Sequence, residues 1–389
     1  LENEILIYLD NNATTRIAPE VFDAMIPFLK DNYANPSSGH TFGREAKCAV
    51  EKAREQVASL LGAADASEIV FTSCGTESDN WAIRGALKMQ PDKKHIVTTR
   101  VEHEAVRVLF EHLEKEGYEI TWLDVDNEGL LNPDDVRNAI REDTAVVSVM
   151  LAQNETGVLF PIEEIARIVK EKSDALFHVD GVQAVGKVPI DLRNTEVDLF
   201  AVSGHKLYAP KGVGALYIKN GINLPSYIIG ASQEMQRRAG TSAVPNIVAL
   251  GAACELVKDE SHDEVLRLRN KLEDTILETF PNAHLNGTKD KSKRLPNTAN
   301  ISFEGIEGES IMAHLDNRSI YVSTGSACHS GTHEASPTLK AMNVPYKIAM
   351  GSIRFSLGRF NTEEEINETL KVLPEIVGQL YEMSPYKTD

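Results

Sequence analysis

With 389 residues, 42% of them apolar, the chain is long enough for two globular domains. Its net charge of −18 argues against non-specific binding to nucleic acid or anionic membranes, which needs a basic face. Arg237-Arg238 is the best small basic pair. There is no secretory signal pattern and no apolar run of roughly 18 residues. Cys48, Cys74, Cys254 and Cys328 are scattered, with neither CxxC nor metal spacing. The expectation is a cytoplasmic protein with free thiols and no metal site. In chain order, β-rich segments are predicted at 69–73, 95–99, 120–125, 145–151, 176–180, 199–203 and 213–218. Helical patterns at 77–88, 104–116 and 162–172 lie between them, and another opens at Asn132-Pro133, where Asn suits the cap and Pro the first turn. Such alternation predicts an α/β fold with a mainly parallel sheet covered on both faces.

Beyond about residue 256 the texture changes. A long amphipathic helix is predicted over 262–280, strands over 298–303 and 352–357, and a final helix opened by the capping box Thr362-Glu-Glu-Glu365. The chain therefore divides into a large domain, 17–255, and a smaller α+β domain made of 1–16 and 256–389.

Ligands of open α/β sheets bind beyond the carboxyl ends of the strands. The first predicted strand of the sheet runs into Cys74-Gly75-Thr76-Glu77, a turn able to cradle phosphate at a helix N-terminus. The next leads to Glu102-His103, a later one to Gln153-Asn154-Glu155, and then one ends in Asp180-Gly181-Val182-Gln183. Ser203-Gly204-His205-Lys206 ends the following strand. Each alone has an ordinary reading: a cap, a turn, a lysine reaching solvent. Together, Asp180 and Lys206 at neighbouring strand ends are what pyridoxal 5′-phosphate requires, an amine to bond its aldehyde and an acid to hold its ring nitrogen protonated. Thr76, Ser203 and His205 could then bind the phosphate, His103 stack on the ring, and Gln183 hydrogen-bond the phenolic oxygen.

The motifs "YLDNNATT", "NPSSGHTFGREA", "FTSCGTESDN", "EHEAV", "QNETGV", "HVDGVQAVGKVPID", "SGHKLYAPKGVGALY", "RRAGT", "STGSAC" and "IRFSLGRF" run along nearly the whole chain. In identity and order they resemble the cysteine desulfurases of the NifS/IscS type, within the aminotransferase-like fold-type I enzymes. The resemblance implies that Lys206 carries the cofactor and Cys328 is the nucleophile. L-cysteine is the implied substrate, giving L-alanine and a persulfide on Cys328. It further implies His103 as acid/base for the substrate thiol, and Arg354, with support from Asn154, as the clamp on the substrate carboxylate. Homodimers are implied, with Thr241 of "RRAGT" reaching the neighbour's cofactor phosphate. A sulfur-acceptor protein, an iron–sulfur scaffold or a thiolation enzyme, is implied as partner.

The match loosens in two places. Gly230-Ala231-Ser232-Gln233-Glu234 and Ser242-Ala243 depart from the usual runs around the neighbour-facing segment. The stretch "ACHSG" with "ASPTLKAM" is also similar to selenocysteine lyases, which share fold and cofactor. The chain from His329 to Gly351 is long enough for the extended catalytic loop of the IscS-like class. An aminotransferase would not need Cys328, and a non-catalytic platform would be expected to lose Lys206, Asp180 or Cys328; all three are present.

Overall fold

A computed structural model describes residues 6–324 and 334–384. The first strand, β1 (Ile7–Tyr8), stands apart from the main sheet. That sheet takes the next seven: β2 (Ile69–Thr72), β3 (His95–Thr99), β4 (Glu119–Leu123), β5 (Thr144–Ser148), β6 (Leu176–Asp180), β7 (Leu199–Ser203) and β8 (Gly214–Ile218). Their spatial order is β2-β8-β7-β6-β5-β3-β4. The run β4-β3-β5-β6-β7 is parallel throughout, as the alternation predicts. β8 turns back and pairs antiparallel with both β7 and β2.

Every residue of β3, β5, β6, β7 and β8 is buried, whereas the edge strand β4 exposes Glu119. Burial on both faces explains why these strands read as apolar runs instead of alternating. The covering helices begin where polar caps allow. His103 Nδ1 accepts the Ala105 N–H at 3.1 Å to open Glu104–Lys115, and Asn132 accepts from Asp134 to open Pro133–Ala139. Helix Ile162–Lys172 turns Ile165, Ala166, Ile168 and Val169 into the core.

The remaining strands are β9 (Ala283–Leu285), β10 (Thr298–Phe303), β11 (Ile320–Tyr321), β12 (Ser323–Thr324) and β13 (Ser352–Ser356). Four of them form an antiparallel sheet in the order β12-β13-β10-β9, while β1 pairs parallel with β11. A second apolar core lies here: Leu268, Leu272 and Ile276 of helix Asp263–Thr279 meet Ile301, Phe303, Ile353 and Phe355, and Ile366 and Leu373 of helix Glu363–Met383. The Thr362–Glu365 capping box opens that last helix as its sequence predicts.

Within the stretch 329–351, the chain from residue 334 carries helices Pro337–Ala341 and Tyr346–Ala349. Ala335, Leu339 and Met342, spaced as one helical stripe, are buried in the core of the large sheet. Among the described residues no helix is long and apolar enough to cross a membrane.

Candidate active site

The ends of β2, β6 and β7 and the turns after β3 and β5 converge on a cavity of about 180 Å³. Gly75, Thr76, His103, Asn154, Asp180, Gln183, Ser203, His205 and Lys206 all line it, so the residues read from separate motifs meet in one place.

One end is built on the N-terminus of helix Gly75–Met89, whose first N–H groups have no partner within the helix. A Cβ on Gly75 would stand 2.8 Å from Val182 Cγ2, so only glycine lets the helix start this close to the turn after β6. Ser203 and His205 face this end from the end of β7. His205 Nδ1 lies 3.2 Å from Thr14 Oγ1. Burial, reinforced by the nearby Lys206 charge, pushes its pKa down to about 4, so the imidazole is neutral near pH 7.

The middle belongs to Asp180, which ends β6 with its Oδ1 accepting the Val182 N–H at 2.9 Å. Burial pushes its pKa up, while the charges of His103 and Lys206 and the Val182 hydrogen bond pull it back. A carboxylate in this setting favours a cation beside it. At Gly181 a Cβ would fall 1.9 Å from Phe200 Cζ, so the strand end packs directly on β7.

Lys206 does not reach for solvent. Its Nζ donates to the carbonyls of Asn12 at 2.5 Å and Ala13 at 2.9 Å. His103 keeps a depressed pKa, chiefly through burial, and its capping bond to Ala105 occupies Nδ1, leaving the proton of the neutral ring on Nε2. Gln183 donates Nε2–H to the Asn12 carbonyl at 2.9 Å and accepts from Lys187.

Two candidates stand off the cavity. Arg354, on β13, is buried; its Nη2 donates to Asp10 Oδ1 at 2.7 Å and its Nη1 to the Asn154 carbonyl at 3.1 Å. Thr241 is exposed and does not line the cavity of its own chain. Cys328 lies outside the described residues. The chain leading to it leaves from β12, where Ser323 pairs with Arg354.

Sequence reasoning missed several groups. Asn12 belongs to the quoted "YLDNNATT" motif, yet nothing local shows that its carbonyl would hold Lys206. Asp79, four residues into its helix, lines the cavity fully buried, 3.3 Å from His178. Glu102 was seen only as the neighbour of His103; it is buried, accepting from Thr99 Oγ1 and the Met150 N–H. Lys187 had no visible role in "AVGKVPID".

Residues 7–369 match the family profile described as aminotransferase class-V. The chain belongs to the aminotransferase class-V family. A curated relative, "Cysteine desulfurase" from Trichormus azollae, is 52% identical over 99% of this chain and 96% of its own. Another, "Cysteine desulfurase NifS" from Azotobacter vinelandii, is 50% identical over 98% and 94%. A solved structure titled "NIFS-LIKE PROTEIN" superposes with a TM-score of 0.90 at 39% identity, covering 97% of this chain and all of the other.

Class-V enzymes of this kind depend on pyridoxal phosphate. The cavity fits that group on its own geometry. It offers open helix N–H groups at a glycine cradle, a buried carboxylate that favours a cation, and one lysine amine in the same lining. Among the described residues no His/Cys/Asp/Glu cluster is arranged to hold a metal.

Proposed function

We propose that this protein is a cysteine desulfurase, converting L-cysteine to L-alanine and carrying the sulfur as a persulfide on Cys328. The observation that carries this reading is the convergence of Asp180 and Lys206, from adjacent parallel strands, on one cavity with His103, in a chain half identical to cysteine desulfurases. When bound, pyridoxal phosphate supplies an electron sink for negative charge developing on the substrate carbons.

The chain's own residues do the rest. Gly75 and Thr76, with Ser203 and His205, would hold the phosphate, and Lys206 would bond the aldehyde. Asp180 would keep the ring nitrogen protonated, Gln183 and Asn154 would bind the phenolic oxygen, and His103 would cover the ring. Arg354 would take the substrate carboxylate, where a planar guanidinium matches two oxygens. Lys206, as the amine, would remove the proton from the substrate α-carbon. His103 would take the proton of the substrate thiol. The Cys328 thiolate would attack that sulfur: an S–S bond forms, the S–C bond breaks, and its electron pair passes to the β-carbon, which is protonated in the product alanine.

The protein works as a cytoplasmic homodimer in this reading, Thr241 serving the neighbouring subunit's phosphate site. Support comes from Ile229, 88% exposed in the segment leading to Thr241, an apolar surface suited to a second copy. The sulfur acceptor is a protein, an iron–sulfur scaffold or a thiolation enzyme. The large domain, 17–255, provides the cofactor cavity, and the small domain, 1–16 with 256–389, carries Cys328 and Arg354.

The deciding experiment is alanine release from L-cysteine with a thiol acceptor, for the parent and for Cys328→Ala. Alanine from the parent and almost none from the variant is expected. A cofactor-loaded parent that yields none would overturn the assignment in favour of selenocysteine, the substrate suggested by "ACHSG…ASPTLKAM".

A further inference from the structure

A hydrogen-bonded chain of four residues links a second lysine to Lys206. Lys187 Nζ donates to the Gln183 backbone carbonyl at 2.9 Å and to its side-chain Oε1 at 3.1 Å. Gln183 Nε2 donates to the Asn12 carbonyl at 2.9 Å, and Lys206 Nζ donates to that same carbonyl at 2.5 Å. Asn12 itself is fixed: its N–H donates to Ser356 Oγ at 2.9 Å, its Nδ2 to Thr298 Oγ1 at 2.9 Å, and its Oδ1 accepts from Asn297 at 3.0 Å.

We propose that Lys187 is a positioning residue for this site: it fixes the Gln183 amide with its N–H turned to the cavity and, through the Asn12 carbonyl, sets the resting place of the Lys206 amine. The proposal rests on the reading of the cavity as a pyridoxal phosphate site. A side-chain amide can be placed either way round, and the neighbours decide. Lys187 is here a donor, so the oxygen of Gln183 faces it. Asn12 presents a carbonyl, so the nitrogen faces Asn12. The second Nε2 hydrogen is left for the cavity that Gln183 lines, where the phenolic oxygen of the cofactor would accept it. With the amide reversed, its one carbonyl oxygen would face both that oxygen and the Asn12 carbonyl with no hydrogen to offer either.

The arrangement does not depend on the Lys187 charge. Burial, with the Lys206 and Arg354 charges, pushes its pKa down to about 7. A neutral amine still has hydrogens for both Gln183 oxygens. The other charged or titratable groups beside it, Tyr208, Glu260, His262 and Arg359, line a small cavity shared by Lys187 and Lys206, and Glu260 pairs with Arg359 at 3.4 Å.

The test reads the cofactor, not turnover. Parent and variants are titrated with pyridoxal phosphate, and the visible absorbance of the loaded protein is followed against pH. A parent that shows no bound-cofactor band overturns the functional reading and this inference with it. Given a loaded parent, Lys187→Met is expected to weaken the apparent Kd about tenfold and to raise the midpoint of the absorbance change by about one pH unit. The midpoint rises because an N–H on the phenolic oxygen favours the deprotonated form, and losing it favours the protonated one. Gln183→Ala should move the midpoint likewise, and the double variant should move it no further than the larger single change. Additive shifts would show that Lys187 acts without Gln183. Gln183→Glu leaves Lys187 its acceptor but has no N–H, so its midpoint should also rise. An unchanged midpoint there overturns the proposed orientation even where Lys187→Met does not fold.

Discussion

Arg354 and Asp10 face each other at 2.7 Å across the junction of β13 with the segment after β1. Both are largely withdrawn from solvent, and Arg354 Nε is buried without a hydrogen-bond partner among the described residues. The pair holds the guanidinium plane while its other nitrogen binds the Asn154 carbonyl. Arg354→Lys keeps a charge but loses the fork. We expect KM for L-cysteine to rise about 10- to 100-fold with the spectrum of the bound cofactor unchanged, checked by steady-state kinetics beside absorbance. An altered spectrum with KM intact would place Arg354 in cofactor binding instead.

Glu102 makes stability depend on pH. Burial, opposed by hydrogen bonds from Thr99 and Met150 and reinforced by the Asp180 charge, lifts its pKa from the ordinary 4.5 to about 8. The folded state therefore holds a proton that the unfolded state gives up. The stabilising contribution is fully present below pH 4.5 and is lost as pH rises through 8, with a slope approaching 1.4 kcal/mol per pH unit over that range (about). Glu102→Gln should remove this slope. Urea unfolding from pH 5 to 8.5 would show the variant gaining on the parent as pH rises; parallel curves would refute the assignment.

Glu273 carries two buried arginines. Its oxygens accept from Arg294 Nη1 and Nη2 at 2.7 Å each, and Arg269 Nη1 lies 3.4 Å away. Removing the carboxylate strands two buried guanidiniums in the core of the protein. Glu273→Ala should cost about 3–5 kcal/mol, read as a lower urea midpoint with little change in m-value.

At Gly181 a methyl group has nowhere to go, because Phe200 Cζ occupies its place at 1.9 Å. Gly181→Ala should cost about 1–3 kcal/mol as strain between β6 and β7. Since Asp180 sits on that strand end, cofactor affinity should fall with stability. Equal cofactor affinity at lowered stability would mean that the strain is relieved away from Asp180.

The cavity was legible because its residues stand at strand ends in sequence, and apolar runs mark buried parallel strands well. Asp180, Lys206, His103 and the Gly75 turn could each be placed by that rule, and the structure brings them to one cavity. What could not be read is what lies across the sequence from them. The Asn12 carbonyl under Lys206 is 194 residues away, and a backbone oxygen leaves no compositional trace. Lys187 and Gln183 are only four apart, but their bond depends on which way one amide is turned. The two helices between 334 and 351 were not read from the sequence, because each is too short to repeat an apolar pattern.

The place of β8 has a consequence for how the protein comes into being. Among the described residues β2 has no neighbour in the sheet except β8, so the turn Cys74–Thr76 and the turn Ser203–Lys206 are joined through the strand of that sheet made last. A nascent chain emerging from the ribosome carries the Cys74–Thr76 turn long before it can be docked against Lys206. Until Gly214–Ile218 has emerged, the two halves of the site have no common sheet. Lys206 waits longer still, because the Asn12 segment that holds it is anchored through Ser356 on β13, made after every strand of the main sheet. Assembly of the cavity is thereby tied to synthesis of the chain as far as β13, and a chain truncated before β13 would carry the cavity residues without the scaffold that aligns Lys206.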